Sequence, residues 1–170
     1  MIDRILNFQR IVYASKVSAA DIKLRLNSIF NQKGYKYNLS GKFITERDFK
    51  ATDKWTIGIY IRNFENDPAY LKGKIKETKE GTLIDVTVRP NSIFSIFGLL
   101  FPLVGTFALI SSYFGKTDEE ALGVGIGFII FGLVCYPIGN YLRNRIRNKF
   151  EDYLELETPT LNESKIHGNK

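Results

Sequence analysis

The chain has 170 residues, 44% of them apolar and 25% charged, and a formal net charge of +6. That is one or two domains of ordinary globular composition. Its single cysteine, Cys135, excludes an intramolecular disulfide and a cysteine-based metal cluster, and reads as a small apolar packing residue. The averages conceal a division. No charged residue occurs between Arg89 and Lys116 or between Glu120 and Arg143, while the first 92 residues carry 17 Lys or Arg against 10 Asp or Glu.

In chain order, "MIDRILNFQR" places an acid and two arginines within ten residues, with no apolar run of signal-peptide length, so the N-terminus is expected to stay where it is made. "FQRIVYAS" has strand composition. "KVSAADIKLRLNSIFNQKG" reads as a helix, with Ser18 and Asp21 as a variant capping box. Ile22, Leu26, Ile29 and Phe30 form its apolar stripe, and Gly34 is placed to end it in a left-handed conformation. Such a stripe packs on a sheet.

"YKYNLSGKFITE" predicts one or two short strands. "WTIGIYIR" alternates Trp55, Ile57, Ile59 and Ile61; "YLKGKIKE" puts Leu71, Gly73 and Ile75 opposite Lys72, Lys74 and Lys76; "TLIDVTV" alternates again. "TKEG" marks a hairpin turn, with Gly81 supplying positive φ. The predicted fold class is therefore α+β over residues 1–92, a cytoplasmic domain of one helix on a mostly antiparallel sheet, whose last strand runs through "RPN" into an apolar hairpin.

That hairpin spans residues 93–142, with two runs at 93–114 and 121–142 of 22 residues each. As helices they would be about 33 Å long, enough for a hydrocarbon layer of ~30 Å. Leu, Ile, Phe and Val number 13 in the first run and 11 in the second, which favours insertion by several kcal/mol in total. The soluble alternative is a helical hairpin buried in a larger core, but the polar remainder is too small to wrap two helices that are apolar on every side. Pro102 and Pro137 are tolerated in such helices. Arg143, Arg145, Arg147 and Lys149 follow the second run, whereas the "GKTDEE" loop holds one Lys and three acids. Excess Lys and Arg stays inside, so a multi-pass inner-membrane protein with both termini cytoplasmic is expected. The same basic cluster suits anionic head groups at the membrane interface.

Small residues recur every seven positions, at Gly98, Gly105 and Ser112 in the first run and at Gly125, Gly132 and Gly139 in the second. That is the seam of a left-handed helix pair. An antiparallel turn in "TDEE" would set Gly98 opposite Gly139, Gly105 opposite Gly132 and Ser112 opposite Gly125. Gly123 and Gly127 form a GxxxG spacing about 160° to 200° away around the helix, which frees them for contact with a second copy. Residues 143–157 continue helically, and Ile146, Phe150, Tyr153 and Leu154 share a face that lies on the membrane surface or docks back on the sheet. Residues 158–170 read as a disordered tail.

"YASKVSAADIKLRLNSIF", then "DPAYLKGKI", then "GTLIDVTVRPN" followed at once by an apolar hairpin, resembles the small uncharacterised bacterial membrane proteins that join a strand-helix-strand domain to a pair of spans. The resemblance covers most of residues 8–150. It implies a membrane protein and brings no activity or catalytic residue with it.

Chemistry is thinly represented. The one histidine, His167, sits beside Gly168 in the tail; Asp48, Asp53, Glu65 and Asp67 read as solvated turn acids; "GVGIG" lies in an apolar run with no strand before it. No catalytic residue, metal site or cofactor is predicted, and the scattered positive charge reads as cytoplasmic flank charge rather than nucleic-acid binding. The expected partners are the lipid bilayer, a cytoplasmic or membrane protein, and a second copy of the chain. The expected function is a non-enzymatic binding or sensing module with a cytoplasmic domain; the alternative is a small channel or transport accessory built from several hairpins. Asn140 is the most polar group in the runs, which disfavours a charged filter.

Overall fold

The computed structural model describes residues 8–32, 38–53, 69–115 and 119–156. In chain order the elements are β1 (Gln9–Ser15), α1 (Ala19–Asn31), β2 (Leu39–Phe43), β3 (Asp48–Asp53), β4 (Ala69–Thr78), β5 (Gly81–Pro90), α2 (Ser92–Phe114) and α3 (Glu119–Leu154). The five strands form one sheet in the order β1-β5-β4-β3-β2, with every neighbouring pair antiparallel.

Local chemistry explains the elements. The Ser18 hydroxyl accepts from the Asp21 amide at 3.2 Å and donates to the Asp21 carboxylate at 2.7 Å, which fixes the start of α1. The helix ends at Asn31 with Gln32 extended, ahead of Gly34, which lies outside the described residues. Lys79 and Glu80 turn β4 into β5, and Gly81 holds φ +141°, where a Cβ would overlap the Ser15 carbonyl. β3 is a strand that its own sequence does not announce: "DFKATD" alternates weakly, but Phe49 lies opposite Gly73 on β4 and its ring covers the glycine. The strand expected at Trp55–Ile61 lies outside the described residues, as does Pro68.

One face of the sheet carries the core. Tyr13, Leu39, Phe49, Ala51, Leu71, Ile75, Ile84, Val86 and Val88 are buried on it, with Ile22, Leu26, Ile29 and Phe30 of α1 above them. The expectation of one covering helix falls short by one. Ile146, Phe150 and Leu154, from the last third of α3, complete the same core. Residues 143–154 therefore dock on the sheet.

α2 has 23 residues and α3 has 36; at ~1.5 Å per residue α3 is about 54 Å long. Both are long and apolar enough to cross a membrane. They pair as an antiparallel hairpin whose outer surface is bare, with Phe107 73% and Leu133 64% exposed.

The lower part of α3 lies against β3. Arg145 and Lys149 meet Asp53 at the hairpin end of β3, and the Phe150 ring stacks on Phe49, four residues back along β3, at 5.8 Å. One face of the sheet thus packs against the lower part of α3, and the second face carries no helix among the described residues.

Candidate functional site

Two features concentrate charge: the seam where α3 enters the domain, and the second face of the sheet. At the seam, Asp53 ends β3 on the inward face. Lys149 Nζ lies 2.8 Å from both of its carboxylate oxygens, and Arg145 Nε lies 3.1 Å from Oδ2. The expectation of a solvated turn acid fails at Asp53, which is a largely buried partner of two cations, its side chain 15% exposed. Asp48 sits at a turn with 39% side-chain exposure, near Lys74, and Glu65 and Asp67 lie outside the described residues.

On the other flank of α3, Arg147 donates to Gln9 Oε1 at 3.3 Å and its Nε lies 3.6 Å from Glu151 Oε1. The Tyr13 hydroxyl donates to that same Glu151 oxygen at 2.6 Å. Burial, reinforced by this bond and by the Glu151 charge, pushes the Tyr13 phenol well above its ordinary range. Arg143 donates to the Asn144 side chain at 2.9 and 3.1 Å, and burial together with the neighbouring Arg147 holds its guanidinium pKa below the usual value. Three of the four residues expected as an interface cluster, Arg145, Arg147 and Lys149, therefore fasten the helix to the sheet. A sequence signal for this exists: Ile146, Phe150 and Leu154 recur every fourth residue, and the basic residues flank that stripe on both sides.

In the hairpin, the glycines of the seven-residue spacing face the partner helix, but against other residues than expected. A Cβ on Gly98 would meet Tyr136, one on Gly105 the Gly125 carbonyl and Ile129, one on Gly132 the Pro102 ring, and one on Gly139 Phe94. The nearest side chains, Tyr136, Ile129, Pro102 and Phe94, each lie about one helical turn from the depth-matched partner, and Gly105 also approaches the Gly125 backbone. Ser112 is half-buried near the loop end. Gly123 and Gly127 are open, with nothing within 4 Å of where a Cβ would stand.

The second face alternates with the core. Lys42 pairs with Lys50 and Lys50 with Lys72, so three lysines stand directly opposite one another on three neighbouring strands. The row continues through Thr87 to Arg10. Arg10 grips Asp85 with Nε at 2.9 Å and a second nitrogen at 2.5 Å; this bond, aided by Lys76 and Lys74, holds the Asp85 carboxyl below the usual range despite its burial. Toward the hairpin, the Arg89 guanidinium lies 4.4 Å from the Tyr70 ring and 5.2 Å from Phe8.

No family model, no curated protein and no solved structure matches this chain.

Proposed function

We propose that this is a non-enzymatic, multi-pass protein of the inner membrane, in which the α2–α3 hairpin lies in the bilayer and the α+β domain is a cytoplasmic binding and sensing module. It is a protein of the kind its sequence resembles, with both termini inside, in line with the basic residues that follow the second span. The observation that carries the reading is the unbroken course of α3 from Glu119 to Leu154. Its first part shows lipid-like exposure of large apolar side chains, and its last part is bolted into the sheet through Phe150 and the Asp53 cluster. A helix shared between two media transmits tilt: a change of bilayer thickness alters the inclination of a span, and α3 stays helical through Pro137 as far as Leu154.

The reading is tested by reconstitution in bilayers of short-chain and long-chain phosphatidylcholine. Hydrogen exchange over residues 143–154 and over β1 should differ between the two, while α1 exchanges alike in both. Equal exchange throughout would reduce the hairpin to a passive anchor. A cysteine placed at Glu80, with Cys135→Ala, should react with an impermeant thiol reagent only after the cells are opened; labelling in intact cells would reverse the orientation.

A further inference from the structure

We infer that Arg89 binds the phosphate of an anionic phospholipid in the cytoplasmic leaflet. Arg89 pairs with Tyr70 on β4, and Phe8 precedes Gln9, the partner of Val88 on β1. The three side chains therefore form one row across the strands, with the guanidinium between two rings. The guanidinium carbon lies 4.4 Å from the Tyr70 ring centroid and 5.2 Å from that of Phe8. Ring faces attract the cation but do not replace oxygen acceptors, so the N–H fork keeps its capacity for them. Arg89 is half-buried, and its side chain forms no ion pair or hydrogen bond among the described residues. Arg10, Arg145, Arg147 and Lys149 differ in this, since each is engaged by Asp85, Asp53 or Glu151.

The depth of Arg89 follows from the hairpin. Pro90, the next residue, packs beside Gly139, where a Cβ would lie 3.6 Å from the Pro90 Cβ. Tyr141, two positions further along α3, is 64% exposed. An exposed tyrosine between an apolar run and the basic residues that follow it belongs at the membrane–water interface. Arg89 therefore stands at head-group depth, a step that rests on the membrane-anchored reading. Ile93 and Ile96, at the start of α2, are 52% and 48% exposed and offer acyl chains an apolar surface just beyond the strand. Phosphate suits the fork of an arginine, which can give it two parallel bonds. An anionic lipid is favoured over a choline lipid, because the rings that would attract a choline ammonium already hold a cation.

The test starts with the full chain and vesicles of phosphatidylglycerol and phosphatidylcholine. Flotation with the vesicles, resistant to alkaline carbonate, is read first; a chain left in solution would overturn the membrane-anchored reading and this site with it. The chain is then taken into neutral detergent and titrated with each lipid, with bound lipid counted by native mass spectrometry. The first phosphatidylglycerol should bind more tightly than phosphatidylcholine, and equal affinity would overturn the choice of an anionic lipid. Arg89→Gln should weaken that first binding about tenfold, the order of a charge-assisted pair. Arg89→Lys, which keeps the charge without the fork, should weaken it about threefold and keeps the readout if Arg89→Gln unfolds. Lys79→Gln, the same charge change at the far turn between β4 and β5, should stay within about twofold of the parent. Losses equal to that of Lys79→Gln would reduce the site to net charge and overturn the inference, as would no loss on changing Arg89. Excess inorganic phosphate should leave the lipid bound; displacement that depends on Arg89 would keep the phosphate chemistry and overturn the lipid as its source.

Discussion

The two parts of α3 are one helix built for opposite surroundings. Before Leu142, many large side chains are exposed, with Ile130 57% and Leu133 64% exposed, while close contacts fall to Gly125, Gly132 and Gly139. After it the order inverts: Ile146 and Phe150 are 0% and 1% exposed, and the charged residues lie along the flanks. Helix propensity does not distinguish the two. What differs is where dispersion contact is available. Against a second apolar helix small residues add contact by letting backbones and facing side chains approach; against a sheet in water, large apolar side chains add most because burial removes them from water.

The sharpest way to break this comparison is to truncate one large residue in each part. Phe150→Ala should destabilise the domain by about 3–5 kcal/mol, read from urea unfolding in detergent, whereas Leu133→Ala on the outer face of the hairpin should leave that transition unchanged. Similar losses would mean that the two parts are packed alike. The reverse experiment enlarges a small residue. Gly132→Leu drives a side chain into the Pro102 ring and should cost about 1–3 kcal/mol of hairpin association. It should lower disulfide yield between cysteines at Gly98 and Tyr136, a pair that in the parent hairpin should crosslink better than Gly98 with Gly139.

Smaller effects test the fastening between the parts. Asp53→Asn leaves Arg145 and Lys149, both largely buried, facing a neutral amide. A loss of about 1–2 kcal/mol is expected, between the values for exposed and buried pairs; Lys149→Met together with Asp53→Asn should lose less than the two single losses added. Tyr13→Phe removes a buried donor to Glu151 and should cost about 1 kcal/mol at neutral pH. Since the folded-state phenol titrates above the unfolded one, the stability that Tyr13 contributes is fully present below pH ~10 and falls as pH rises beyond it. Tyr13→Phe should therefore flatten the alkaline limb of the stability profile, and an unchanged limb would remove Tyr13 from that role.

Much of this is legible in the residues. The capping pair Ser18 and Asp21, the stripe of α1, the Gly81 turn and the alternation of β4 and β5 are local signals, each fixed by backbone geometry within a few positions. The heptad glycines identify the surface by which α2 and α3 meet, because a spacing of seven keeps one face of a helix toward its neighbour. β3 is not legible in this way, since "DFKATD" gains its strand character from Gly73 and Leu71 on the adjacent strand rather than from its own pattern.

What the chain determined by itself, then, is most of the described elements, β3 apart, and the division between an apolar hairpin and a charged domain, because periodicity and hydropathy act over short stretches. The tertiary structure alone decided that the helix after residue 142 turns its apolar stripe onto the sheet and that Asp53 receives Arg145 and Lys149. It also decided which residues of the partner helix meet the seam glycines, and the alignment of Lys42, Lys50 and Lys72 in one row. These depend on pairing registers and helix positions between residues as much as 138 positions apart, and register is set by packing across the whole core, which no local pattern encodes.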